Sequence, residues 1–282
     1  METISNPQEL QNLCLMLRSE GKKIGLVPTM GYFHEGHLSL MDAARKQCDV
    51  LIVSLFVNPT QFGENEDLDA YPHDLERDSR LAEEHGVDIL FTPVRDDMYF
   101  DDHSTWVEVP DLATNLCGKS RPVHFRGVAT VVTKLFMTAL PHVAIFGQKD
   151  WQQLAVIKRM VRDLNIPVDV QAHEIVREKS GLALSSRNVY LTETEKASAP
   201  NIQKGLQKMR AQVASGESDT ARLKQDLADF YAETIPGSSI DYIEIVHPEN
   251  INILKNVGDS ALCAVAVQVG KARLIDNLLI KV

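Results

Sequence analysis

Residues 50–57, Val50-Leu-Ile-Val-Ser-Leu-Phe-Val57, decide the fold class. A strand with one face in water alternates apolar and polar residues, and this run does not. Its continuous apolar character suits the centre of a parallel sheet, where both faces are covered. Upstream, Ile24–Val27 reads as a second short buried strand and His34–Gln47 as the helix joining the two. Ahead of these lies Asn6-Pro7-Gln8-Glu9, with an N-cap, a proline at the first helical position and an acid at the third. That helix should run to Gly21. Downstream, Leu75–His85 is helical and stops at Gly86, and Val87–Phe91 is the next strand. Helix Val128–Leu140, strand His142–Phe146, helix Asp150–Leu164 and strand Val168–Val176 continue the alternation. Strands alternating with helices imply βαβ units, hence an α/β fold with a parallel sheet.

The pattern changes near residue 177. Thr192-Glu-Thr-Glu195 should cap a long helix, and another follows near Asp219–Thr234. Strands are then expected at Ile240–Val246, Ala261–Val269 and Arg273–Lys281. Helices followed by strands predict a small α+β domain, so the chain divides into domains 1–175 and 176–282. No internal repeat is visible.

Composition narrows the function. The chain has 282 residues, 44% of them hydrophobic, enough for a packed core. The 39 acidic residues outnumber the 29 basic ones, giving a net charge of −10. That balance argues against nucleic acid as a partner. Anionic substrates would need basic groups concentrated in one cleft. The polar start, METISNPQEL, has no signal-peptide pattern, and no apolar run reaches the ~18 residues a membrane helix needs. Cys14, Cys48, Cys117 and Cys263 are scattered without a CxxC pair, so neither a zinc site nor a disulfide framework is expected. A cytoplasmic protein with no membrane partner is the expectation.

Residues 28–37, PTMGYFHEGH, form the turn from the first buried strand into its helix. In an open α/β sheet, ligands sit beyond the carboxyl ends of the strands. An anion there meets backbone N–H groups and the positive end of a helix. His34 and His37, three apart, share a helix face, and Gly36 leaves no side chain between them. Phosphate binding is the reading; helix capping and a metal pair are its alternatives, the last lacking a third ligand at suitable spacing. A competing motif, Ala113-Thr-Asn-Leu-Cys-Gly118-Lys119-Ser120, fits a loosened P-loop. Its context is wrong, because Pro110-Asp111 should start a helix before it and Pro122 obstructs one after it. Lys119 and Arg121 remain candidates for basic lining of a cleft.

Several stretches together resemble one family, the pantothenate synthetases or pantoate–β-alanine ligases. They are PTMG with HEGH (28–37), SLFVNPTQF (54–62), YPHDLERD (71–78), RPVHFRGVATVV (121–132), FGQKDWQQL (146–154), GLALSSRN (181–188) and ARLIDN (272–277). HxGH alone also marks the wider nucleotidyltransferase and class I aminoacyl-tRNA synthetase group. The combination, in order along nearly the whole chain, is specific. Two departures stand out: Phe33 where the family often has Leu, and Gln148 where it has an acid.

The resemblance implies a Rossmann-like N-terminal domain, a smaller C-terminal α+β lid, a homodimer, and ATP with Mg²⁺ held mainly by its phosphates. It implies that pantoate is activated as pantoyl adenylate with loss of pyrophosphate, and that the amine of β-alanine then displaces AMP. Such transfer at phosphorus relies on positioning and charge stabilisation, so donors and cations are the residues to look for. By resemblance His34 and His37 bind phosphate, His37 acts as proton donor, and Lys149 contacts phosphate. Met30, Gly31, Gly147, Asp150, Val176, Leu184, Ser185, Ser186 and Arg187 complete the ATP-binding set. Within it, Asp150 would hold the ribose hydroxyls, Val176 the adenine through its backbone, and Ser185-Ser186-Arg187 the outer phosphates. Asn58, Gln61, Gln153 and Arg126 are expected to serve pantoate and β-alanine. No protein ligand to a metal is implied. Two rivals stay open: another HxGH adenylyl- or cytidylyltransferase, and a nucleotide-binding module without catalysis. A tRNA synthetase is disfavoured for want of an anticodon domain or a basic surface.

Overall fold

The apolar run at 50–57 forms a strand over Val50–Leu55 whose Leu51, Ile52 and Val53 side chains are fully buried, on alternating faces. Its neighbours follow in a computed structural model that describes residues 1–63, 66 and 68–281. In chain order the first elements are β1 (Glu2–Ile4), α1 (Pro7–Ser19), β2 (Ile24–Thr29), α2 (Glu35–Arg45) and β3 (Val50–Leu55). Then come α3 (Leu75–Glu84), β4 (Ile89–Phe91), the one-turn helices α4 (Arg95–Met98) and α5 (Cys117–Ser120), α6 (His124–Ala139), β5 (Val143–Gly147), α7 (Trp151–Asp163) and β6 (Asp169–His173). The six strands make one sheet in the order β1-β4-β3-β2-β5-β6, parallel at every pairing. The chain steps outward from β2 to β3 and β4, then returns to the other side of β2 with β5. This reversal is the topological switch point of a Rossmann-like sheet, so the carboxyl ends of β2 and β5 frame its crevice.

Two compact units are present. The first comprises Met1–Pro110, Arg121–Gln148 and Val156–Glu174; the second comprises Asp111–Ser120, Lys149–Ala155 and Ile175–Val282. The short segments 111–120 and 149–155 therefore cluster with the C-terminal residues, a departure from a single cut at 175/176 that no local pattern announces. In the first unit, Leu51 and Val53 of β3 pack with Val27 of β2 and with Leu38, Met41 and Ala44 of α2.

The second unit adds α8 (Glu193–Ser198), α9 (Asn201–Ala214), α10 (Thr220–Thr234), β7 (Ser239–Val246), β8 (Ser260–Val269) and β9 (Ala272–Lys281). Its three strands form an antiparallel sheet in the order β7-β8-β9. Cys263, Val265 and Val267 pack against Leu206, Met209, Leu223, Leu227 and Tyr231 of the two longer helices.

Three expectations need correction. The long helix after Thr192 is two helices, because Pro200 has no N–H to continue the first and stands at the N-cap of the second. The capping box of Thr192 and Glu195 is present, but on the short α8. Helix α6 begins at His124, four residues ahead of the expected start, so the motif residues 124–127 are helical. β1 was not expected: three residues of a polar terminus pair parallel with β4, and only Ile4 is buried.

Candidate active site

At the end of β2 the chain turns sharply. Gly31 has φ +88° and Tyr32 φ +52°, the second uncommon for a residue with a Cβ. Asp78 of α3 stabilises the turn: Tyr32 N–H donates to Asp78 Oδ2 at 2.5 Å and Phe33 N–H to Asp78 Oδ1 at 2.8 Å. Arg77 donates from Nη2 to the Phe33 carbonyl at 2.8 Å. The Asp78 carboxyl is buried, which pushes its pKa above the usual carboxylate value, although the two N–H donors and Arg77 pull the other way.

His34 is the N-cap of α2. Its Nδ1 accepts from Gly36 N–H at 3.1 Å, and His34 N–H donates to Nδ1 of His37 at 3.4 Å, a capping box built from imidazoles. The rings stack with centroids 4.1 Å apart and planes inclined by 28°. The capping alternative is thus present in the structure, and it engages Nδ1 of both rings. A ring whose Nδ1 accepts a hydrogen bond carries its proton on Nε2, so the cap sets both histidines in the tautomer that donates from the other nitrogen.

Beyond β3, Asn58-Pro59-Thr60-Gln61 forms a 3₁₀ turn at Pro59–Gln61. Asn58 is buried and donates from Nδ2 to Gln61 Oε1 at 3.2 Å and to the Gly127 carbonyl at 3.2 Å. Gln61 in turn donates from Nε2 to Met30 Sδ at 2.9 Å. A Cβ at Gly127 would collide with the Thr60 and Gln61 backbone, so α6 reaches this turn only with glycine there. The structure therefore brings Met30, Asn58 and Gln61 into one bonded group. Sequence reasoning gave Arg121 only a general place as basic lining and His124 no role, and these are the partners that fix it. His124 Nδ1 lies 2.9 Å from the Gln61 carbonyl, and Arg121 donates to the same oxygen at 3.3 Å while pairing with Glu66. Arg126 stands apart: its guanidinium stacks on Trp106 at 4.7 Å and pairs with Glu108 at 3.7 Å.

The second unit gathers another set. Gly147 ends β5 in the first unit, and Lys149 and Asp150 follow in a 3₁₀ turn. Lys149 lines a small recess with Ser185, Leu182, Ile202 and Asp276. Burial pushes the Lys149 ammonium below its ordinary pKa; Arg187 adds to this, and Asp150 and Asp276 oppose it. Asn277 donates from Nδ2 to the Lys149 carbonyl at 2.8 Å. Leu184 N–H donates to the Val176 carbonyl at 3.0 Å, so these two residues pair across a turn. Arg177 closes that turn with a bidentate pair to Asp276, at 2.6 and 2.8 Å. Ser185 caps the short helix Ser186–Tyr190 by accepting from Arg187 N–H at 3.3 Å. Gln153 is half-buried on the first turn of α7. Its neighbour Gln152 organises the 111–120 segment, accepting from Cys117 N–H and donating to the Leu112 and Asn115 carbonyls. That segment holds no P-loop: a 3₁₀ turn precedes it, α5 is four residues long, and Ser120 donates to Asp241.

Among the described residues no three His, Cys, Asp or Glu side chains converge as a metal cage, and no helix is long and apolar enough to cross a membrane.

Known proteins match this chain along its length. The family model described as pantoate-beta-alanine ligase covers residues 2–279. A protein of Maridesulfovibrio salexigens named pantothenate synthetase is 89% identical over 282 residues, all of both chains. One of the same name from Nitratidesulfovibrio vulgaris strain Miyazaki F is 58% identical over 99% of each. Among solved structures, pantothenate synthetase from Thermus thermophilus superposes with a TM-score of 0.92 at 44% identity, over 99% of each chain. Pantoate-beta-alanine ligase from Francisella tularensis, complexed with beta-gamma ATP and beta-alanine, gives 0.80 at 34% identity, over 99% of this chain and 97% of its own.

Proposed function

The chain belongs to the pantoate-beta-alanine ligase family, and from that premise we infer how its residues carry out the reaction. The enzyme joins pantoate to β-alanine at the expense of ATP. A pantoate carboxylate oxygen attacks the α-phosphorus; the bond to the β-phosphate oxygen breaks and pyrophosphate leaves. The β-alanine amine then attacks the acyl carbon of pantoyl adenylate, loses a proton, and expels AMP.

His34 and His37 present Nε2–H groups to the phosphates, with His37 facing the charge that develops as pyrophosphate departs. The observation that carries this assignment is the capping box that sets the tautomer of both rings. Met30 and Gly31 pass beneath the nucleotide, and Gly147 extends the same strand-end surface. Lys149 and Arg187, with Ser185 and Ser186, take the β- and γ-phosphates; Asp150 takes the ribose; Val176 and Leu184 flank adenine. Gln61, held by Asn58, orients pantoate and then meets β-alanine, and Gln153 serves a pantoate hydroxyl. Arg126 is left out of the substrate set, since Trp106 and Glu108 already engage its guanidinium.

Mg²⁺, which the family resemblance implies, would be held mainly by the ATP phosphates. The protein's candidate groups there are cations and N–H or O–H donors, a set that complements phosphate oxygens. We assign a nucleotide- and pantoate-binding role to residues 1–175 and a lid role, with the adenine and outer-phosphate contacts named above, to 176–282, and we expect a cytoplasmic homodimer.

Product analysis by mass spectrometry, with ATP, Mg²⁺, pantoate and β-alanine each omitted in turn, tests the reading. Without β-alanine, pyrophosphate release should require pantoate and stop at about one per site, because the adenylate stays shielded from water. Continuous ATP consumption without pantoate, or a nucleotide-containing final product, would point to another adenylyltransferase.

A further inference from the structure

We propose that Asp78 is a positioning residue for adenylation: its carboxylate sets the path of the chain from Gly31 to His34 and so aims the histidine pair. The proposal rests on the role given to His37 above.

Three observations meet at this carboxylate. Both of its oxygens accept backbone N–H bonds from consecutive residues, Tyr32 and Phe33, immediately before the histidine N-cap. Tyr32 has the left-handed φ of +52°, a conformation that persists in a non-glycine residue only when its surroundings impose it. Asp78 is 1% exposed and sits on α3, 44 positions beyond His34, so burying a carboxylate there has no local helical explanation. Such burial is unfavourable unless the charge is matched by donors, and here the donors are the loop itself. Its neighbour Arg77 completes the grip through the Phe33 carbonyl and lies over the Tyr32 ring at 5.4 Å. The geometry also explains Gly31, where a Cβ would meet Leu55 at 3.1 Å and Asp78 Oδ2 at 3.2 Å. The first half of the motif and the second half of YPHDLERD are thus one device.

Asp78→Asn tests this, because the amide keeps the shape but presents N–H₂ to one of the two backbone donors. Pre-steady-state adenylation should fall by about 10²-fold, the scale of an ångström-sized misplacement of a reacting group. Aminolysis of supplied pantoyl adenylate should change much less, and ATP binding should weaken by no more than in His34→Asn. The deciding readout is the double variant. If Asp78 acts through the histidines, His37→Asn with Asp78→Asn should be little slower than His37→Asn alone. A folded Asp78→Asn enzyme with normal adenylation, or losses that simply multiply, overturns the proposal. Should Asp78→Asn fail to fold, the same cycle run with Arg77→Met, which removes the bond to the Phe33 carbonyl, decides it by the same criterion. A normal rate in His37→Asn itself would instead overturn the histidine assignment.

Discussion

The histidine loop and the Lys149 recess, both assigned to phosphate in the function proposed above, are built in opposite ways. The loop is a single ten-residue stretch whose donors are locked by its own cap and by one carboxylate from α3. The recess draws on three distant stretches: residues 149–150, the turn 176–187 and β9. The loop offers oriented N–H dipoles; the recess offers a half-buried ammonium whose pKa the nearby Arg187 helps to lower. Dipoles fixed in direction reward charge appearing at one place, whereas a cation attracts phosphate throughout the reaction. The loop should therefore govern rate, and the recess rate and affinity together.

The strongest test of that division is Lys149→Ala. Because it removes attraction from ground and transition states alike, kcat/KM for ATP should fall by roughly 10³-fold or more, with both parameters affected. Steady-state kinetics with an ATP-binding titration would read it, and unchanged pantoyl adenylate formation would break the comparison. His37→Asn comes next. Asn keeps capping competence, so melting should hold while single-turnover adenylation drops by about 10²–10³-fold. For His34→Asn we expect a smaller loss, about 10- to 100-fold and mainly in ATP binding, the range for one hydrogen bond to a charged group. Calorimetry would show whether it lies in affinity.

How much of this could be read from the chain alone follows the same division. Val50–Val57 announced the parallel sheet because its signal lies in consecutive residues, and HxGH announced the loop because three-residue spacing already implies a shared face. Asp78, Asn277 and Gln152 carried no such signal: each acts on backbone groups dozens of positions away, and an acid or amide in a helix or strand looks the same whether it faces water or a carbonyl. Membership of 111–120 and 149–155 in the second unit was invisible for this reason. Pro200 was visible, but the capping signal at Thr192–Glu195 marks where a helix starts and carries nothing about where it ends.

Two smaller effects sharpen the contrast between held and assembled sites. Gly127→Ala forces a methyl into the Thr60–Gln61 backbone and should destabilise by about 1–3 kcal/mol, with weaker pantoate binding and intact ATP binding. Thermal melts and separate substrate titrations would check both parts. Thr192→Ala removes the cap of α8 and should lower stability by ~1 kcal/mol while leaving kinetics alone. A catalytic effect there would mean that the helix serves the recess.

The imidazole cap has a consequence for the medium in which the enzyme works. Dissolved ions screen exposed charges over about 10 Å at 0.1 M, but they hardly touch a short, oriented N–H dipole. On the proposed assignment, adenylation through the histidine loop should depend little on ionic strength, and any salt sensitivity of nucleotide binding should come chiefly from the partly exposed Lys149 and Arg187. On that assignment, an acidic protein that collects a polyanion would keep its chemical step constant while its hold on ATP followed the salinity around it.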